Sequence, residues 1–192
     1  MSVDADAVNR ALGQYRAYLE TLTFIQIDPR LRSEFSLSDV IQETIVEAWR
    51  DLERIEALDS DGRKRWLRKL LLHNLIDAVE RCRAEKRDVR LKQSLDAAIE
   101  ESSCRLKDGL AVEDTSPSER LVRQEEALQL LEALSKLDGR QREALILQKY
   151  HRWKLRQIAE HLGCTTGAVA GLHARGLENL HKLLLEVGIS HV

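Results

Sequence analysis

Residues Leu155 to Ala174 are typed and spaced to build a surface for duplex nucleic acid. Ile158 and Leu162 supply the buried side of a short helix, and Ala159 sits where a second helix must cross closely. Gly163 follows four residues later, where a tight turn demands a positive φ that glycine adopts at little cost. Cys164 fills a small apolar slot, Thr165 is placed to cap the next helix, and Val169 and Leu172 close the core. A small residue, a glycine four later and an apolar residue ten later together predict a helix-turn-helix, whose second helix lies in a major groove. An αα-hairpin with no DNA role is the alternative.

A second group is organised for a different contact. Asp39, Gln42, Glu43 and Glu47 recur at helical spacing and so share one exposed face. Carboxylates and an amide without interleaved lysine suit a basic partner surface, although an ordinary solvated helix face has the same composition. Nothing in the chain assembles a reaction. It has no glycine-rich phosphate loop, no His-Glu metal motif and no nucleophile elbow, so neither an enzyme nor a cofactor is expected.

Composition narrows the class of protein. The 192 residues are 43% hydrophobic and 32% charged, with 4% aromatic residues and two prolines, which favours long helices over a sandwich or barrel. Cys82, Cys104 and Cys164 are scattered, without metal-ligand or disulfide spacing, and read as reduced thiols; no metal is expected. No apolar run is long enough to span a bilayer and the first residues lack a signal-peptide pattern, so a cytoplasmic location without membrane insertion is expected.

The net charge of −2 conceals blocks. Residues 1–62 carry 6 basic and 13 acidic side chains, and residues 63–92 carry 11 and 4. Residues 93–137 carry 5 and 10, and residues 138–192 carry 8 and 5. Two separated positive blocks point to a polyanion, with a solvated charged face as the bland reading.

The elements follow from periodicity. A helix is predicted from Asp6 to Ile27 on the stripe Val8, Leu12, Tyr15, Leu19 and Leu22, ended by Pro29. A second, capped by Ser38, reaches Leu52 through Val40, Ile41, Ile45, Ala48 and Trp49. A turn at Asp59 to Gly62 precedes a third from Arg63 to Lys86, carrying Leu67, Leu70, Leu71, Leu75, Ala78, Val79 and Cys82. Trp49 and Trp66 fall within apolar stripes and are expected in the core. Residues 88–118 are poor in large apolar residues and acidic, and read as a tether with a short helix near Leu95 to Ile99. Helices from Glu119, capped by Ser118 or Thr115, and from Asp138 lead into the helix-turn-helix, whose second helix continues through Leu184. The expected fold is all-α: a three-helix bundle over 1–87, a flexible acidic linker over 88–118 and a helix-turn-helix domain over 119–187.

These motifs resemble, in order, those of bacterial sigma factors of the extracytoplasmic-function type. Asp39-Val40-Ile41-Gln42-Glu43-Thr44 with Glu47-Ala48-Trp49-Arg50 is similar to the helix that binds core RNA polymerase. Trp66-Leu67-Arg68, Asn74-Leu75-Ile76-Asp77 and Arg81 resemble the promoter-opening helix, and the helix-turn-helix preceded by Arg142-Glu143 resembles the upstream-promoter reader. The resemblance implies that Asp39, Gln42, Glu43 and Glu47 dock on the polymerase clamp helices. It implies that Arg65, Arg68, Lys69 and Arg81, with Arg83, Lys86, Arg87 and Arg90, neutralise phosphates, while Asn74 and Asp77 read the downstream element. The loop Leu58 to Arg63 would capture an unstacked base. Core polymerase and promoter DNA are the implied partners, and relatives are commonly held by an anti-sigma protein, for which no surface is identified here.

The reading helix departs from the family pattern. Where many relatives carry Lys, Ser and Arg, this chain has Ala170, Gly171 and Leu172, and Arg175 is its sole bidentate base reader. Upstream contacts are therefore expected to rest on backbone amides gripping a phosphate, on Arg140, Arg142, Lys154 and Arg156, and on DNA shape, with Thr165, Thr166, His173 and Arg175 facing the groove. A dimeric helix-turn-helix regulator and a protein-binding helical adaptor are the competing readings.

Overall fold

The computed structural model describes residues 12–85, 92–111 and 117–186. Among these residues there are nine α-helices and no strand, and the chain divides into two compact units, 1–117 and 118–192.

In the first unit a 3-10 turn, Gly13–Tyr15, leads into α1, Arg16–Gln26. The predicted start of this helix, Asp6 to Ala11, lies outside the described residues. Ile27 adopts extended backbone, and Pro29 opens a further 3-10 turn whose first free N–H, that of Arg30, is accepted by Asp28 Oδ1 at 2.9 Å. Helix α2, Leu37–Arg50, is capped by Ser36, which accepts from the Asp39 amide at 3.2 Å. The expected cap, Ser38, therefore lies inside the first turn. A break at Asp51 separates α2 from the short α3, Leu52–Glu56.

Helix α4, Ser60–Glu85, starts earlier than predicted because Asp59 acts as its cap, accepting the Gly62 amide at 2.7 Å. A β-carbon at Gly62 would lie 2.6 Å from that same carboxylate oxygen, so a larger residue there would have to displace the cap. Leu67, Leu71, Leu72, Leu75, Ala78, Val79 and Cys82 are buried along α4, which packs against α1 and α2 among other neighbours. Leu70, predicted in this set, is half-buried and Leu72 takes its place. Trp49 and Trp66 are also only half-buried, outside the core expected for them.

Residues 92–111 correct the expected tether. They form α5, Lys92–Ala111, which packs on α4 and on the Pro29–Leu31 turn and buries Ala98, Ile99, Ser102 and Leu106. These four positions fall on one side of a helix, and full burial of Ile99 and Leu106 is worth about 1.5–3 kcal/mol each. Ala98 and Ser102 complete the face, so the helix docks closely while showing little apolar composition. The first unit consequently extends to Pro117 and holds a fourth long helix beyond the three expected.

The second unit comprises α6, Pro117–Lys136, α7, Gly139–Lys149, α8, Leu155–His161, and α9, Thr166–Glu186. Pro117 occupies the first turn of α6, so Ser118 is helical rather than its cap; Thr115 lies outside the described residues. Asp138, the expected start of this helix, caps α7 by accepting from the Arg140 amide at 3.0 Å. Ala144, Leu145, Ile146 and Leu147 are all buried. Near Gly176, α7 and α9 approach so closely that a β-carbon there would lie 3.1 Å from Leu145 Cδ1.

Candidate functional site

The local sequence of α8 and α9 produces the turn that the motif demands. Gly163 has φ +62°, which costs an L-residue about 1–2 kcal/mol. Around it, Leu162 donates to the Ile158 carbonyl at 2.9 Å and Cys164 to the Ala159 carbonyl at 3.0 Å, closing the end of α8. Thr165 Oγ1 accepts the Ala168 amide at 3.1 Å and opens α9. Ile158, Ala159 and Val169 form one core with Ala144 and Leu147, against which Trp153, Leu155, Leu162, Cys164 and Leu172 pack. Helix α7 anchors this pair from outside. Arg140 Nη2 donates to the Leu162 carbonyl at 2.9 Å, and Asn179 Nδ2 donates to Gln141 Oε1 at 3.0 Å.

The exposed surface of the N-terminal half of α9 is nearly bare. Thr166, Gly167, Ala168, Ala170, Ala174 and Arg175 are exposed, whereas His173 is half-buried. A β-carbon on Gly171 would meet Arg175 Nη1 at 3.4 Å, so the guanidinium lies back over the bare glycine. Burial, joined by the charge of Lys149, pushes the His173 imidazole below its ordinary value. Lys154 and Arg156 are exposed at the start of α8, with Arg156 paired to Glu160 at 3.1 Å. Arg142 is half-buried and donates to the Ser135 carbonyl at 3.1 Å, so this predicted phosphate contact braces α7 against the end of α6.

In the first unit Asp39, Gln42 and Glu43 are exposed on α2. Gln42 Oε1 accepts from Arg16 Nη1 at 3.2 Å, and Arg16 also reaches Ser38 Oγ at 3.2 Å. Glu47 is half-buried and accepts from Asn74 Nδ2 at 2.9 Å; the same amide donates to Thr44 Oγ1 at 3.1 Å. Asn74 is 9% exposed and ties α4 to α2, so its side-chain amide is committed to a bond between these helices.

The predicted downstream-promoter set divides into two faces of α4. Asp77 and Arg81 join Glu43, Asn74, Glu80 and Ala84 around an open groove of about 590 Å³ between α2 and α4. An adjoining groove adds Glu34 and Asp39, so Arg81 lies within the carboxylate-rich surface. Arg65 and Lys69 are exposed elsewhere, one turn apart, and Arg83 falls on the same face because eighteen residues make five turns. Arg68 is half-buried beside Tyr18, whose hydroxyl burial pushes up against the pull of the arginine. Lys86, Arg87 and Arg90 lie outside the described residues.

The loop expected to hold an unstacked base is tied down by Arg63. Its Nε donates to the Leu58 carbonyl at 2.9 Å and its Nη2 to the Glu56 carbonyl at 3.1 Å. Sequence reasoning missed the cluster beside α5, in which Asp28, 2% exposed, meets Arg30 at 2.8 Å and Arg105 at 4.0 Å. Burial acts to raise the Asp28 carboxyl, but the hydrogen bonds and charge of Arg30 outweigh it and hold the group below the ordinary carboxylate range. Asp28 directly before a proline in a helix-ending turn was the available signal.

Cys82, Cys104 and Cys164 are free thiols. Among the described residues no cluster could hold a metal ion, and no helix is long and apolar enough to cross a membrane.

A helix-turn-helix braced by a preceding helix defines a DNA-binding class of domain. Residues 127–180, from within α6 to well along α9, match the family described as sigma-70, region 4. No curated protein matches the chain.

Proposed function

We propose that the chain is a sigma factor of the compact extracytoplasmic-function type, which binds core RNA polymerase, directs it to promoters and has no catalytic activity of its own. The observation that carries this reading is the sigma-70 region 4 match over a complete helix-turn-helix. It is supported by the separate acidic surface of the first unit, where Asp39, Gln42 and Glu43 face solvent. A factor that holds polymerase and DNA at once requires such a division of surfaces.

In this reading Asp39, Gln42 and Glu43 contact a basic face of the polymerase clamp, with Glu47 held beside them by Asn74. Arg65, Lys69 and Arg83 meet phosphates of the opened promoter, each contact adding to the salt dependence of binding. Helix α9 enters the upstream major groove. Its bare surface lets the backbone approach closely, with amides at its N-terminus facing a phosphate and Lys154 and Arg156 adding charge. Sequence preference then comes from Thr166, Arg175 and DNA shape. An anti-sigma protein that occupies one of these surfaces is a further proposed partner.

Co-elution of the purified chain with core polymerase tests the reading. Asp39→Arg is expected to abolish association and Gln42→Ala to weaken it. Undiminished binding by both variants would overturn the assignment of this surface, and no binding by the unaltered chain would overturn the function.

A further inference from the structure

Helix α5 is attached to the first unit by more than its apolar face. The Asp28 amide donates to Ser102 Oγ at 3.0 Å, Arg30 Nη2 to Glu101 Oε2 at 3.0 Å and Arg105 Nε to the Gln26 carbonyl at 3.0 Å. These contacts fix α5 to the turn that follows α1. On its other side, α5 lies along the C-terminal half of α4. A small cleft between them is lined by Ile76, Val79, Glu80 and Arg83 from α4, and by Glu100 and Leu106 among others from α5.

At that edge Arg83 Nη2 donates to Glu100 Oε2 at 3.0 Å. Arg83 belongs to the same face of α4 as Arg65 and Lys69, so a carboxylate of α5 occupies one end of the cationic stripe. The pair is open to water, with side chains 57% and 75% exposed, and such pairs exchange readily for another anion. The firm attachment at the buried turn and the weak ion pair at the stripe have different consequences. The first keeps the helix at the surface; the second is replaceable.

We propose that α5 is an intramolecular strap whose Glu100 competes with nucleic-acid phosphate for Arg83, so that Arg83 joins Arg65 and Lys69 in contacting DNA only when this ion pair gives way. This rests on the reading of α4 as a DNA-contacting helix, and it makes residues 92–111 a regulatory element of that surface.

Fluorescence anisotropy with a labelled mixed-sequence DNA duplex, using the full chain across salt concentrations, tests the strap. Glu100→Gln is expected to tighten binding about threefold, by removing a surface ion pair of ordinary strength. Asp108→Asn, which makes the same charge change on exposed α5 away from Arg83, is expected to leave affinity near that of the unaltered chain. Ile99→Asp with Leu106→Asp should release the helix, tighten binding about tenfold and steepen the salt dependence by about 0.9, the value of one added phosphate contact. Hydrogen exchange should show α5 amides opening while those of α1 and α2 stay protected.

If Arg65→Ala with Lys69→Ala weakens binding but Glu100→Gln does not tighten it, the strap is refuted and the DNA surface stands. Equal tightening by Asp108→Asn would also refute it, by showing bulk electrostatics. If Arg65→Ala with Lys69→Ala changes nothing, both the strap and the α4 surface fall.

Discussion

Helices α4 and α9 are the two long helices proposed to contact DNA, and the faces proposed for that contact are opposites. Helix α4 carries Arg65, Lys69 and Arg83 on one side, with Arg65 4.0 Å from Asp59 and Arg83 paired with Glu100 at 3.0 Å. Helix α9 presents Gly167, Ala170, Gly171 and Ala174, with Arg175 lying back over a glycine. A cationic line grips phosphate at a distance and tolerates sequence change, whereas a bare helix gains only from close fit. The account therefore assigns salt-dependent affinity to the first unit and shape-dependent placement to the second.

The largest effects should come from breaking the support under the bare helix. Ile158→Ala empties a fully buried position between α8 and α9, and is expected to cost about 2–5 kcal/mol in urea denaturation of the second unit. Promoter placement should fail with it, because α9 has few side-chain contacts to compensate. Asn74→Ala is the matching break in the first unit. It removes the donor that joins Thr44 and Glu47, for an expected cost of about 1–3 kcal/mol, with base preference unchanged. A changed base preference at unaltered stability would instead assign Asn74 to reading DNA.

Acid should separate the units further. With Asp28 held below the ordinary carboxylate range, the folded first unit binds fewer protons than its unfolded chain near that range. Its contribution is present at neutral pH and is lost as pH falls from about 4 through the lower folded value. Asp28→Asn should lower stability at pH 7 and flatten the acid limb of a denaturation series. An unaltered acid limb would contradict the buried cluster as the anchor of α5. The smallest expected effect is on charge: Arg65→Ala and Lys69→Ala should each reduce the salt slope of DNA binding by about 0.9, while Arg175→Ala shifts promoter selectivity.

How much of this was legible in the sequence differs between the units for a physical reason. The helix-turn-helix is written in local demands: a positive φ at Gly163, a close crossing at Ala159, a cap at Thr165. Each constrains residue type at its own position, so the sequence reports it. The faces of α4 are set by which helices pack against it, and residue type alone does not reveal that. Asn74 carried a usable signal, for it continues the stripe Leu67, Leu71, Ala78 in steps of four, three and four. Helix α5 was concealed by composition, since Ala98 and Ser102 dock closely without the large apolar residues that periodicity detects. Trp49 and Trp66 misled in the other direction, as large apolar residues that remain half-exposed.

The most direct measurement is a footprint on promoter DNA with and without core RNA polymerase. The account predicts that the chain with core enzyme protects two separated segments, one for each unit, and that the chain alone protects neither firmly. Strong protection of a single palindromic site by the chain alone, unchanged by polymerase, would contradict it.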